Sequence, residues 1–174
     1  MAPSMGMTVV GVSRTTSSAT SLRTDGFEDW VKPHIPSMAA LASRLVGRPD
    51  CDDVVQDALT AAWRKWASYD AARGTPRAWL LAIAADQARK SRRRRREMPL
   101  VGDPGAHLDR PRDVDLERAV RRLPARQRLA VELHYFLDLP VTEVAATMGC
   151  AEGTVKATLS HARGRLEREL AEEL

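Results

Sequence analysis

Near the end of the chain, Lys156, Ser160, His161, Arg163 and Arg165 are interleaved with apolar residues Val155, Leu159, Ala162 and Leu166, which recur at three- and four-residue spacing. A helix that turns this apolar stripe inward holds an ammonium, a hydroxyl, an imidazole and two guanidinium groups outward. Those groups are suited to base edges and phosphate oxygens. A second set lies mid-chain, where an amphipathic stretch carrying Asp86, Gln87 and Arg89 runs into Lys90-Ser91-Arg92-Arg93-Arg94-Arg95-Arg96. Asp86, Gln87 and Arg89 can hydrogen-bond base edges. The cationic run repels itself unless something anionic lies against it; its simplest use is a solvated helix end, where the macrodipole favours cations. Four tryptophans between residues 30 and 79, with Tyr69, add rings able to stack on unpaired bases. Trp63, Trp66 and Trp79 nevertheless fall on apolar stripes, so a core position is expected of them.

The other candidate chemistry is thin. Asp52, Asp53 and Asp57 share one helix with no matching acid or histidine cluster elsewhere, a poor basis for a metal-dependent nuclease. Cys51 and Cys150 are isolated and have no metal-ligand spacing, so small structural side chains are expected. No catalytic residue, cofactor site or metal site is expected, and the chain reads as a binding protein rather than an enzyme.

The elements that must position these groups are helical throughout. Val141, Val144, Ala145 and Met148 make one short stripe, Gly149 supplies the left-handed corner, and Val155 anchors the next helix to the first. This is a helix-turn-helix, whose second helix enters the DNA major groove. Leu116, Val120 and Leu123, then Leu129, Leu133, Phe136 and Leu137 beyond Pro124, complete a small four-helix unit. In the first half, Met38, Leu41, Ala42 and Leu45 predict a helix ending at Gly47. Val55, Leu59, Ala62, Trp63 and Trp66 predict the inner face of the next, and Trp79, Leu80, Ile83 and Ala84 that of a third, capped by Thr75 with Pro76 at its first position. Residues 1–25 lack periodicity and are expected to be a disordered arm. Residues 97–114 gain proline, glycine and aspartate and are expected to be a flexible linker. The predicted architecture is all-α, with two small helical domains at 26–96 and 115–174.

The 174 residues carry a net charge of +4, with an excess that is almost all arginine, which favours phosphate recognition. No apolar run approaches the roughly 20 residues of a membrane span, so no membrane insertion and a cytoplasmic location are expected.

In this order the motifs resemble one family. Asp53-Val54-Val55-Gln56-Asp57 with Ala62-Trp63-Arg64, then Tyr69-Asp70, Arg73-Gly74 and Arg77-Ala78-Trp79-Leu80 with Ile83-Ala84, are similar to region 2 of the extracytoplasmic-function (group-four) sigma factors of bacterial RNA polymerase. Leu123-Pro124-Ala125-Arg126-Gln127-Arg128 and Gly149-Cys150-Ala151-Glu152-Gly153-Thr154-Val155-Lys156 resemble region 4. The resemblance implies a promoter-specificity factor. Asp53, Gln56 and Asp57 would dock on the β′ clamp of core polymerase, and region 4 would also touch the β flap. Asp86, Gln87, Arg89, Lys90, Arg92, Arg93 and Arg94 would serve the −10 element. Glu152, Thr154, Lys156, Ala157, Ser160, His161, Arg163 and Arg165 would serve the −35 element. It also adds an anti-sigma factor as a candidate partner. Three positions depart from the family pattern. Asp86 stands where Asn is usual and would prefer a cytosine amino group or serve packing. Ala151 stands where serine often caps the recognition helix, at a cost of about 1 kcal/mol. Ala157-Thr158 replaces Ser-Arg. The rival readings are a polymerase-independent helix-turn-helix regulator, which needs a dimer to gain affinity from two half-sites, and the nuclease. Promoter sequence, regulon and inducing signal are not written in the chain.

Overall fold

The computed structural model describes residues 26–97 and 111–172. The arm expected at 1–25 and most of the expected linker lie outside the described residues. Among the described residues there is no strand. Residues 26–31 form a short helix, α1, in which Phe27 and Val31 are buried and the Phe27 and Trp30 rings lie 6.1 Å apart.

A 3₁₀ turn, Lys32–His34, leads into α2 (Ile35–Val46), so the prolines at 33 and 36 mark a break and a restart. Gly47, at φ 88°, separates α2 from α3 (Arg48–Lys65). After two 3₁₀ turns, α4 (Pro76–Glu97) begins where the Ala78 N–H donates to Thr75 Oγ1 at 3.2 Å, the cap expected there. α2, α3 and α4 pack on one another. Met38, Leu41, Ala42 and Leu45 are the buried face of α2, as their spacing predicts.

The buried face of α3 differs from expectation. It is Cys51, Val54, Ala58 and Ala62, while Val55, Leu59 and Trp66 are only half-buried and Trp63 is 43% exposed. The reason is steric: a helix wedged between two others packs closest through small side chains, so the bulky rings are turned to the margin. Trp79 is likewise half-buried, with Ala78 and Leu81 taking the interior beside Leu80, Ile83 and Ala84.

The second half contains α5 (Pro111–Arg122), α6 (Ala125–Val131), a π-helical turn (Glu132–Phe136), α7 (Val141–Met148) and α8 (Glu152–Glu172). α5 begins inside the stretch expected to be linker. α5, α6 and α7 all pack on α8. Leu133 and Leu137 are buried as expected, whereas Leu116 and Phe136 are each 37% exposed. The two halves do not keep separate cores. Leu45, Val54 and Leu81 belong to the same buried cluster as Val120, Leu133, Val144 and Val155, and α7 packs directly on α4.

Candidate nucleic-acid interface

The recognition unit is built from the turn outward. Gly149 closes α7 in the left-handed conformation, φ 62° and ψ 41°. Its N–H and that of Cys150 bond back to the Ala146 and Ala145 carbonyls at 3.4 and 3.0 Å, satisfying the helix end. A Cβ at Gly149 would meet nothing within 4 Å, so the backbone angle alone calls for glycine. The Ala151 carbonyl receives the Thr154 and Val155 amides at 3.0 and 3.2 Å, which starts α8 without a side-chain cap.

Val155, Leu159 and Ala162 are buried and Leu166 half-buried, as their spacing predicts. The opposite surface presents Glu152, Thr154, Lys156, Ala157, Ser160, His161, Arg163 and Arg165, every one exposed. Lys156, Ser160 and Arg163 are separated by four and three residues and so share one face. Arg165 is drawn along the helix, its Nε donating to Glu169 Oε1 at 3.2 Å. This exposed pair is weak and can be exchanged for a phosphate.

On α4 the expected −10 residues are partly engaged with one another. The half-buried Asp86 accepts from Arg89 at 2.5 Å and pairs with Lys90 at 2.9 Å. The bond from Lys90 is the main reason its carboxyl is held below the usual range, against an opposing effect of burial. Asp86 therefore organises two cations of its own helix. Gln87 is half-buried.

The arginine run is divided by helical geometry. Arg93 pairs with Glu97 at 3.6 Å, Arg94 with Asp57 at 3.1 Å and Arg95 with Asp50 at 2.7 Å. Arg92 and Arg96, four residues apart, meet no acid among the described residues. Burial, then the charge of Arg96, lowers the pKa of Arg92. Both line a cleft of about 500 Å³ floored by Leu45, Ala88, Leu129 and Met148, with Arg126 of α6 on its far rim.

On α3, Asp53, Gln56 and Asp57 are exposed. Trp63 lies seven residues beyond Gln56, on the same side of the helix. Trp79 makes an edge contact with Tyr69 at 5.6 Å, and the Tyr69 hydroxyl donates to the Gly74 carbonyl at 3.0 Å. These rings have structural work in the turn before α4.

Sequence reasoning missed the charged cluster between the halves. Arg44 of α2 pairs with Glu132, and its guanidinium lies 3.4 Å from the Phe136 ring centroid. Arg128 donates to the carbonyls of Arg44 and, at 3.4 Å, Leu45, while its Nε lies 3.8 Å from Glu132. Burial, then the charge of Arg92, lowers the Arg128 pKa. No local pattern could have found this cluster, because its two sides lie more than eighty residues apart in sequence.

Comparison with known proteins follows the two halves. The model for Sigma-70 region 2 matches residues 30–98, and that for Sigma-70, region 4 matches residues 113–166. An ECF RNA polymerase sigma factor, EcfG of Rhodopseudomonas palustris, is 33% identical over 156 residues, 82% of this chain and 84% of its own. The ECF sigma factor SigM of Mycobacterium tuberculosis is 34% identical over 83% of this chain and 76% of its own. The chain belongs to the ECF sigma factors. Among solved structures, this sigma factor is similar to the sigma factor RpoE of Bartonella quintana in complex with the anti-sigma factor NepR, with TM-score 0.66, 29% identity, and coverage of 84% of this chain and 97% of that one. It is also similar to CnrH in complex with the cytosolic domain of CnrY, with TM-score 0.65, 26% identity, and coverage of 91% and 96%. Among the described residues, no helix of the sigma factor is long and apolar enough to cross a membrane.

Proposed function

We propose that this sigma factor binds RNA polymerase core and directs it to promoters by reading the −35 duplex with α8 and capturing the −10 strand with α4. The observation that carries this reading is the face of α8. An exposed row of Lys156, Ser160, His161 and Arg163 stands opposite a fully buried stripe, on the second helix of a helix-turn-helix, in a chain that also matches region 2. Groove readout needs a rigid helix with polar side chains free to reach base edges. α4 contributes differently: Arg92 and Arg96 are cations that meet no acid among the described residues, suited to backbone phosphates.

Asp53, Gln56 and Asp57, with the exposed Trp63 beside them, form the proposed docking face for the β′ clamp. A mixed polar and aromatic patch of this kind is typical of partner hot spots. Strand capture requires preferential binding of unpaired bases and no catalytic residue, so the proposed activity is non-enzymatic and cytoplasmic, where polymerase and promoter meet. The similar sigma factor RpoE of Bartonella quintana was solved with the anti-sigma factor NepR, which supports an inhibitor of that kind here.

Run-off transcription with purified bacterial core polymerase on genomic fragments tests the reading. Discrete starts sharing two upstream elements, lost when Arg92–Arg96 become alanine, are expected. Absence of transcripts and of core binding, with duplex binding retained, would favour a polymerase-independent regulator instead.

A further inference from the structure

Lys156, Ser160, His161 and Arg163 make the outer side of α8 polar, but the residue at its centre is apolar. Ala157 lies two residues after Val155 and two before Leu159, half a turn from each, so its methyl points directly away from the buried stripe. We propose that Ala157 is a specificity-determining residue, which selects −35 elements carrying a thymine where α8 lies deepest in the groove by packing its methyl on the thymine methyl. The inference rests on the promoter reading proposed above and names the class of element that reading takes.

An exposed alanine is ordinarily a helix former and nothing more. The neighbours of Ala157 set it apart. Gly153, one turn before it, is exposed and helical, and a Cβ there would meet nothing within 4 Å, so the fold itself does not ask for glycine. Glycine at such a place costs a helix about 1 kcal/mol relative to alanine. Ser160, three residues after Ala157, is small as well. Nothing along this line holds the backbone away from a surface pressed against it. The long side chains rise on the flanks instead, Lys156 and Arg163 on one side, His161 and Arg165 on the other. A helix so shaped sinks its middle toward the base edges, while its flanks reach the phosphates of both groove walls.

Thr158 does not supply a reader in place of Ala157. Its hydroxyl is turned back along the helix and donates to the Thr154 carbonyl at 2.7 Å. What the centre of the face offers to DNA is therefore a methyl group, with no donor or acceptor. Set against an amino or carbonyl edge, that methyl would strip water from a polar group and return no hydrogen bond. Thymine alone among the bases presents a methyl in the major groove. Discrimination comes as much from the polar edges left unpaired as from the apolar surface covered.

Run-off transcription by the full chain with core polymerase tests this on synthetic promoters in which each −35 thymine, one at a time, is replaced by deoxyuridine, which lacks only the methyl. At limiting holoenzyme, one replacement should lower initiation about fourfold and the others far less. With Ala157→Gly that replacement should lose its effect, while base changes elsewhere in the −35 element keep theirs. Initiation indifferent to every replacement would overturn the proposal. So would −35 elements that share no thymine, or an Ala157→Gly chain that suffers the same loss. If Ala157→Gly bound core poorly, the deoxyuridine scan with the unaltered chain would decide alone. Failure of the promoter reading looks different: unmodified promoters would give no transcript at all, and this inference would fall with it.

Discussion

Asp57 on α3 and Arg94 on α4 face each other at 3.1 Å, so a carboxylate proposed to dock on polymerase neutralises an arginine proposed to meet promoter DNA. Both side chains are largely exposed, and the pair itself contributes little to stability. Its interest is the exchange it allows: engaging Asp57 with a partner leaves Arg94 a cation without its acid.

Asp57→Asn should therefore shift stability by less than about 1 kcal/mol while steepening the salt dependence of single-stranded DNA binding by about one phosphate contact. Thermal melts and binding isotherms at several salt concentrations would check both. Unchanged salt dependence would show that Arg94 does not face DNA.

Trp63 offers an optical readout of docking. Its exposed indole should move to shorter emission wavelength when core polymerase is added, and Trp63→Ala should weaken core binding while leaving the melting temperature within a few degrees. An emission spectrum indifferent to core would place the docking face elsewhere.

On α8, replacing a base-reading side chain and replacing a phosphate-binding one should differ in kind. Lys156→Ala should cost about 1–3 kcal/mol and relax preference at one −35 position. Arg163→Ala should weaken all promoters alike. Transcription from a panel of −35 variants separates the two patterns.

The turn between α7 and α8 should be intolerant for backbone reasons alone. Gly149→Ala, forced into the left-handed region, should cost about 1 kcal/mol, and Gly149→Asn less. Leu159→Ala, which empties a buried position, should cost about 2–5 kcal/mol. Chemical denaturation of the three variants gives the order.

His34 should make stability sensitive to mild acid. Burial, then the charge of Arg77, lowers its pKa from the ordinary value near 6.5. Between the two values the unfolded chain binds more protons than the folded one, so stability rises with pH there. It should be full above about pH 6.5, fall as pH drops toward the folded value, and level off below it. His34→Asn should remove that component of the melting profile; an identical profile would show that His34 titrates alike in both states.

The readability of the chain followed the kind of force at each place. The stripe Val155, Leu159 and Ala162 was legible because a helix lying on one core repeats its apolar residues at the helical period. α3 misled because it packs through Cys51, Ala58 and Ala62, while its bulky Trp63, and Trp66 just beyond its end, sit toward the margin. Size and burial parted company there. Arg128 and Glu132 were illegible, since each reads locally as a surface charge and becomes buried only against a helix more than eighty residues earlier. The same limit applies to Arg92 and Arg96, which look identical to their paired neighbours until the acids of α3 are placed.

The π-helical turn Glu132–Phe136 carries a consequence for how such a protein could change its target. The Leu137 amide reaches back to the Glu132 carbonyl rather than to Leu133, so this turn holds one residue more than an α-helical one. Deleting a single residue there would restore ordinary winding and, because the wide turn already takes up the extra residue, would leave what lies downstream near its present phase around the helix axis. A one-codon loss would thus re-aim the helix-turn-helix only where it falls in a regular helix, which turns by about 100° per residue lost.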